Sequence, residues 1–143
     1  MPHPNHTFIA VDFDGTIVEH DYPRIGNPIP LASYWMKMWQ KEGADLLLWT
    51  MRSDDLAVGR FTLREAVDYC KRGGIEFYAV NHNPNQDSWT TSPKCYAHIY
   101  VDDAAYGCPL VHIPNKRPYV DWVYVGPSVQ KEIRKRRSSE YRH

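Results

Sequence analysis

Ile9-Ala10-Val11-Asp12-Phe13-Asp14-Gly15-Thr16 sets two carboxylates one residue apart at the end of an apolar run. Residues 7–11 are mostly β-branched or aromatic, which reads as a short strand buried on both faces, as in parallel sheets. Gly15 breaks it. Side chains of an extended segment alternate with period two, so Asp12 and Asp14 point the same way. Both then face one pocket beyond the strand's carboxyl end, the edge where open α/β sheets bind ligands. A plain Asp-Gly turn with solvated carboxylates is the competing reading. The combination of Asp, Asp, Gly and Thr is rare enough, about one chain in a thousand at this length, to disfavour chance.

The chain has 143 residues, which suits one domain with its own core. Lys plus Arg equals Asp plus Glu at 17 each, so the whole-molecule field favours neither nucleic acid nor an acidic membrane. No run is long and apolar enough to span a bilayer, and Met1-Pro2-His3-Pro4-Asn5-His6 lacks a signal peptide's apolar core, so a cytoplasmic setting is expected. Cys70, Cys95 and Cys108 form no C-x-x-C pair and read as reduced thiols. Only His3 and His6 have zinc-ligand spacing, in a Pro-rich tail, which argues against zinc.

In chain order, Asn27-Pro28 reads as a helix start, with Leu31, Tyr34, Trp35 and Met38 as its apolar face and Gly43 as its end. Ala44 to Trp49 is a second buried strand, followed by Thr50-Met51-Arg52-Ser53. A right-handed β-helix-β crossover sets this second tip beside Asp12. Arg52 reads equally well as holding a substrate anion or as a surface residue. Thr62-Leu63-Arg64-Glu65 is a capping box, and Leu63, Ala66, Val67 and Cys70 mark a helix closed by Gly73-Gly74, with an extra turn over 54–58. A third strand, 75–80, leads to Asn81-His82-Asn83-Pro84-Asn85, where Asn81 or His82 would overhang the pocket edge; Asx turns explain the same asparagines. Lys94 precedes a fourth strand, 98–101, which ends in Asp102-Asp103. Leu110 to Ile113 is a fifth strand. An irregular Pro-rich segment follows, then a helix from Ser128 with Val129 and Ile133 inward, and a disordered tail from Ser138. The domain is thus expected to span 1–143, with a core over about 7–126 and a basic segment, 127–143, whose outer face carries Lys131, Arg134, Lys135, Arg136 and Arg137.

Asp12-Phe13-Asp14-Gly15-Thr16 after a hydrophobic strand resembles the first signature of the haloacid dehalogenase-like (HAD) hydrolases, a superfamily dominated by Mg²⁺-dependent phosphatases. Thr50 is similar to the second signature, Lys94 to the third and Asp102-Asp103 to the fourth. The resemblance covers residues 7–113 well and the last thirty weakly. It implies a doubly wound, Rossmann-like parallel sheet of order 3-2-1-4-5 in three layers. It also implies a hairpin flap opened by Ile17-Val18. Neither 17–27 nor 81–92 exceeds loop size, so this would be a small capless member. His98 departs from the small or acidic residue expected there and reads as structural.

The chemistry so implied is phosphomonoester hydrolysis through an aspartyl phosphate. The catalytic set would be Asp12 as nucleophile, Asp14 as acid and base, and Thr50 and Lys94 on the phosphoryl charge. Asp12, Asp14 through its backbone carbonyl, Asp102 and Asp103 would hold Mg²⁺. Gly15, Thr16, Met51, Arg52 and Asn81 would line the substrate. The partner is a small phosphate ester: a sugar phosphate, a sugar-acid phosphate or a nucleotide. A neighbouring subunit, or the substrate itself, would cover so open a site. Alternatives are a non-catalytic phosphate-binding or scaffold protein of this fold and a receiver-like signalling domain, although a receiver carries its phosphorylated Asp on a later strand.

Overall fold

The structure is a computed structural model that describes residues 7–140, with side chains through 138. Four parallel strands form the main sheet: β1 (Phe8–Val11), β2 (Asp45–Leu48), β5 (Ala79–Val80) and β6 (Ile99–Val101), in the order β5-β2-β1-β6. β1 is therefore central, with Val11 in register with Leu48 on one side and Val101 on the other. This burial on both sides explains its unbroken apolar sequence. The other two strand pairs lie outside this sheet. β3 (Asp54–Asp55) and β4 (Arg60–Phe61) make a hairpin where one extra turn is expected from sequence. β7 (Leu110–Val111) pairs antiparallel with β8 (Tyr119–Val120) instead of joining the main sheet as a fifth strand.

Three helices lie among the described residues: α1 (Ala32–Lys41), α2 (Thr62–Arg72) and α3 (Trp122–Glu140). Their buried apolar side chains all join the cluster built on Ile9, Val11, Leu46, Leu48 and Val101. The opposite face, with Phe8 and Leu47, is covered by Cys95, Tyr96 and Ala97 from the segment between β5 and β6. That segment contains only one short 3₁₀ turn, Pro84–Gln86. A sheet wound with helices on both faces is thus not what forms. The linking sequence, rich in Asn, Pro, Ser and Thr, is poor helix material. It is pinned by buried side chains instead: Gln86 donates to the Ser92 and Lys94 carbonyls and accepts from Tyr96 N, while Asn83 donates to the Tyr96 carbonyl. His98 is structural, its Nδ1 accepting from Phe8 N at 2.9 Å and its ring stacked on Phe8.

α1 begins later than the sequence suggests. Pro28 bridges antiparallel to Val18, so Asn27-Pro28 belongs to the return of the flap, and Leu31 at the helix entry has φ of 70°. The buried face is Ala32, Met36 and Trp39, with Leu31 and Tyr34 exposed. The chain carries two interleaved apolar stripes, and the second one docks. α2 occupies its expected span, but its capping box does not form: the Thr62 hydroxyl donates to the Ser53 carbonyl at 2.8 Å.

The C-terminal segment is part of the core. α3 starts at Trp122, runs through Pro127 and helical Ser138, and buries Trp122, Val125, Val129 and Ile133. Gly126 lets α1 approach: an added Cβ would lie 2.1 Å from Trp35 Cγ, and the Gly126 carbonyl accepts from Trp39 Nε1 at 2.9 Å. Arg134 and Arg137 bind Glu42 at 2.7 and 3.0 Å, so part of the basic run docks the helix against the end of α1. Residues 1–6 and 141–143, including His3 and His6, lie outside the described residues.

Candidate active site

The hydrogen-bond ladder of β1 runs one residue beyond the strand, where Asp12 N donates to the Val101 carbonyl at 3.0 Å. This sets Asp12 beside Asp102, the residue after Val101. One carboxylate oxygen each from Asp12, Asp102 and Asp103 falls within 4.8 Å of the others. Two adjacent parallel strands ending together are what bring residues 12 and 102 into one place. Three half-buried carboxylates this close repel one another. Burial first, and then the Asp102 charge, push the Asp12 carboxyl up from the ordinary 3.8 to about 8.

A tight turn supports the cluster. Thr16, Ile17 and Val18 all donate backbone N–H groups to the Phe13 carbonyl, and Gly15 N donates to the Val18 carbonyl. The Thr16 hydroxyl is fully buried, accepts from Asp103 N at 3.2 Å and donates to Asp12 Oδ2 at 3.4 Å. His20, at the start of the flap, places Nε2 2.8 Å from Asp103 Oδ2. Gly15 runs directly beneath this pair with φ of 79°, where an added Cβ would lie 2.1 Å from His20 Nε2 and 2.5 Å from Asp103 Oδ2. Gly15 and Thr16 thus build the cluster from below, a different part from the substrate lining expected of them. Sequence reading missed His20; a lone His eight residues past Asp12 carries no spacing signal.

Asp14 has a separate partner. Arg52 donates to it twice, Nε to Oδ2 and Nη2 to Oδ1, each at 2.8 Å. The same guanidinium donates to the carbonyls of Pro23, Arg24 and Thr62 and lies over the rings of Phe13 and Tyr22. At 2 % exposure Arg52 is neither a surface residue nor an anion-holding arm. It rivets the motif loop to the flap and to α2.

Of the other expected site residues, Thr50 follows β2 with its hydroxyl accepting from Arg52 N at 3.1 Å. Asn81 is a brace: with φ of 54°, it donates N–H to the Leu48 carbonyl and accepts from Thr50 N through Oδ1 at 2.8 Å. His82 pairs with Asp87 at 2.9 Å, and Met51 is 96 % exposed. Lys94 stands apart from the carboxylates. Its ammonium lies 5.6 Å from the centre of the Tyr100 ring, and among the described residues it forms no ion pair. Tyr100 pairs in register with Ala10, so this is one alternation behind Asp12 and Asp102 on the sheet.

No helix among the described residues is long and apolar enough to cross a membrane. No family model and no curated protein sequence matches the chain significantly. A solved structure does: that of a conserved protein coded by a locus of Bacteroides thetaiotaomicron. It is 37% identical, with 89% of this chain and 92% of that chain covered and a TM-score of 0.70. At that identity over nearly the full length of both chains, this protein belongs to the family of the Bacteroides thetaiotaomicron conserved protein.

Proposed function

We propose that this protein is a phosphomonoesterase of the HAD-like kind, using a divalent cation, Mg²⁺, and acting on a small phosphorylated metabolite through Asp12. The observation that carries the reading is the meeting of the Asp12, Asp102 and Asp103 carboxylates within 4.8 Å at the tips of neighbouring parallel strands. An all-oxygen donor set suits a hard cation. A cluster whose central carboxyl retains its proton near neutrality is one that lacks compensating positive charge. Asp12 and Asp102 would hold the ion through their carboxylates and Asp14 through its backbone carbonyl, with Asp103 in support. When bound, Mg²⁺ would neutralise charge on the transferring phosphoryl group.

Asp12 attacks phosphorus with its remaining oxygen, the alcohol leaves, and water then cleaves the aspartyl phosphate. The two displacements replace one harder step. Asp14, on the other side of the turn, gives a proton to the leaving oxygen and later takes one from water. Because both of its oxygens accept from Arg52 at rest, the acid form requires that one oxygen take up a proton from solvent and give up its Arg52 bond before the ester is cleaved. Thr50 donates to a phosphoryl oxygen. Lys94, on the same sheet face and one step back, swings from Tyr100 toward the dianion.

The test is phosphate release from 4-nitrophenyl phosphate with Mg²⁺ or with chelator. The expected result is metal-dependent turnover that falls at least about a hundredfold in Asp12→Asn, a loss of ~2.7 kcal/mol in transition-state stabilisation. Metal-independent turnover, or Asp12→Asn activity within about tenfold of wild type, overturns the reading. With no turnover of any phosphomonoester, the phosphate-binding alternative of the same fold takes its place.

A further inference from the structure

Two successive carbonyls of the motif turn are held by the far end of the chain. The N–H groups of the turn are spent internally, on the Phe13 and Val18 carbonyls. Its outward acceptors meet β8 and the first residue of α3. Val120 N donates to the Gly15 carbonyl at 3.0 Å, and Trp122 Nε1 donates to the Thr16 carbonyl at 2.7 Å across 106 positions of sequence. Val120 and Trp122 are both fully buried, so neither bond can be exchanged for one to water.

Thr16 is where this grip reaches the carboxylates. Its hydroxyl accepts from Asp103 N at 3.2 Å and donates to Asp12 Oδ2 at 3.4 Å. One hydroxyl holds both partners only while the backbone that carries it stays in place. At 3.4 Å the bond to Asp12 is near the limit of a hydrogen bond, and a shift of a few tenths of an ångström loses it. Trp122, bonded to the carbonyl of the same residue, opposes that shift.

Ring packing alone does not account for this bond. Trp39 lies beside Trp122 with ring centres 5.1 Å apart, is equally buried, and also donates its indole N–H to a backbone carbonyl, that of Gly126 at 2.9 Å. That second bond joins α3 to α1 and supports no carboxylate. The two tryptophans contribute alike to the core and differ in what their acceptors hold.

We propose that Trp122 is a positioning residue for the carboxylate cluster: by fixing the Thr16 carbonyl it keeps the Thr16 hydroxyl between Asp12 and Asp103. The C-terminal segment then takes part in building the site as well as the core. Cation binding by the cluster rests on the phosphatase reading; the clasp on Thr16 does not.

Trp122→Phe and Trp39→Phe each delete one buried indole N–H and keep an aromatic ring, so they form a matched pair. Amide hydrogen exchange of the metal-free protein reads the Asp103 N–H, which the Thr16 hydroxyl protects. Relative to the amides of β2, exchange at Asp103 is expected to quicken at least about tenfold in Trp122→Phe and to stay within about twofold of wild type in Trp39→Phe. Mn²⁺ affinity, followed by electron paramagnetic resonance, is expected to fall about tenfold in the first and to stay within about twofold in the second. Replacing Trp122 by 3-benzothienylalanine exchanges the indole N–H for sulfur and keeps the bicyclic ring. This variant should match Trp122→Phe and stands in for it should the phenylalanine variant not fold. Equal effects of the Trp122 and Trp39 changes, an unchanged Asp103 amide, or an unchanged Mn²⁺ affinity in the Trp122 variants overturns the proposal while the phosphatase reading stands. If wild type binds no divalent cation, the phosphatase reading falls and the Asp103 amide alone decides. Selective loss of its protection on changing Trp122 supports the positioning role, and protection equal to wild type overturns it.

Discussion

Arg52 and Asp14 form a two-bond ion pair in which the arginine side chain is 1% exposed and the aspartate 19%. Around it gather three carbonyls and two aromatic rings from the motif loop, the flap and the start of α2. Removing the guanidinium leaves Asp14 and those carbonyls unpaired. Arg52→Met should lower stability by about 3–5 kcal/mol. Arg52→Lys should rescue little, because an ammonium cannot span the five acceptors. Thermal unfolding checks this: a drop of roughly 10 °C in Tm is expected for both, and a shift under about 2 °C contradicts it.

The Gly15 backbone passes beneath the His20–Asp103 pair with no room for a methyl group. Gly15→Ala should therefore displace His20 and Asp103 and weaken divalent-metal binding. His20→Ala should do the same more mildly, by about ten- to a hundredfold, because the imidazole orients Asp103. His20→Gln, which keeps a donor near Asp103, should recover part of the loss. Titration with Mn²⁺ followed by electron paramagnetic resonance reads the affinity directly; unchanged binding in both variants would remove His20 from the site.

Asp12 links the site to stability. Its folded carboxyl sits at about 8 because of burial and the neighbouring Asp102, whereas an unfolded aspartate titrates near 3.8. Between those values the native state holds a proton that the unfolded chain has released. The native state thus binds more protons, and stability falls as pH rises from about 4 to about 8 and is level above. The cost at pH 8 is on the order of several kcal/mol. Asp12→Asn removes it, so in chelator its Tm gain over wild type should be roughly 5–10 °C larger at pH 8 than at pH 4. A gain independent of pH contradicts the account.

Gly126 is where α3 meets α1, with Trp35 packed on its Cα and Trp39 bonded to its carbonyl. A methyl group there meets three ring carbons of Trp35 at 2.1 to 2.4 Å. Gly126→Ala should cost at least about 1–3 kcal/mol through overpacking. Chemical denaturation should show the loss, and wild-type stability would exclude the proposed close approach.

How far the fold and site were legible depends on how local each signal is. The β1 strand and the carboxylate pair after it could be read because both are encoded within eight residues. Asp102-Asp103 could be matched by order alone, and the parallel pairing of β1 with β6 converts that order into proximity. The register of α1 was misread because Leu31 and Tyr34 are as apolar as the residues that dock, and only the Val18–Pro28 bridge fixes where the helix begins. Arg52 was undecidable because its partners come from positions 14, 23, 24 and 62, none of them a local neighbour. The fifth strand failed to join the sheet because Tyr119–Val120 supplies a partner for Leu110–Val111, a pairing across a Pro-rich turn that no periodicity announces. Lys94 is placed by the pinned segment before β6, whose conformation depends on buried Asn83 and Gln86 rather than on helix propensity.

The central claim is that Asp12, Asp102 and Asp103 together bind one divalent cation, which replaces the proton that Asp12 otherwise keeps. Calorimetric titration of Mg²⁺ at pH 7 in two buffers of different ionisation enthalpy measures binding and proton release at once. The account predicts one ion bound with nearly one proton released, and loss of both in Asp102→Asn. No binding at millimolar Mg²⁺, binding without proton release, or an Asp102→Asn variant that binds like wild type would contradict it.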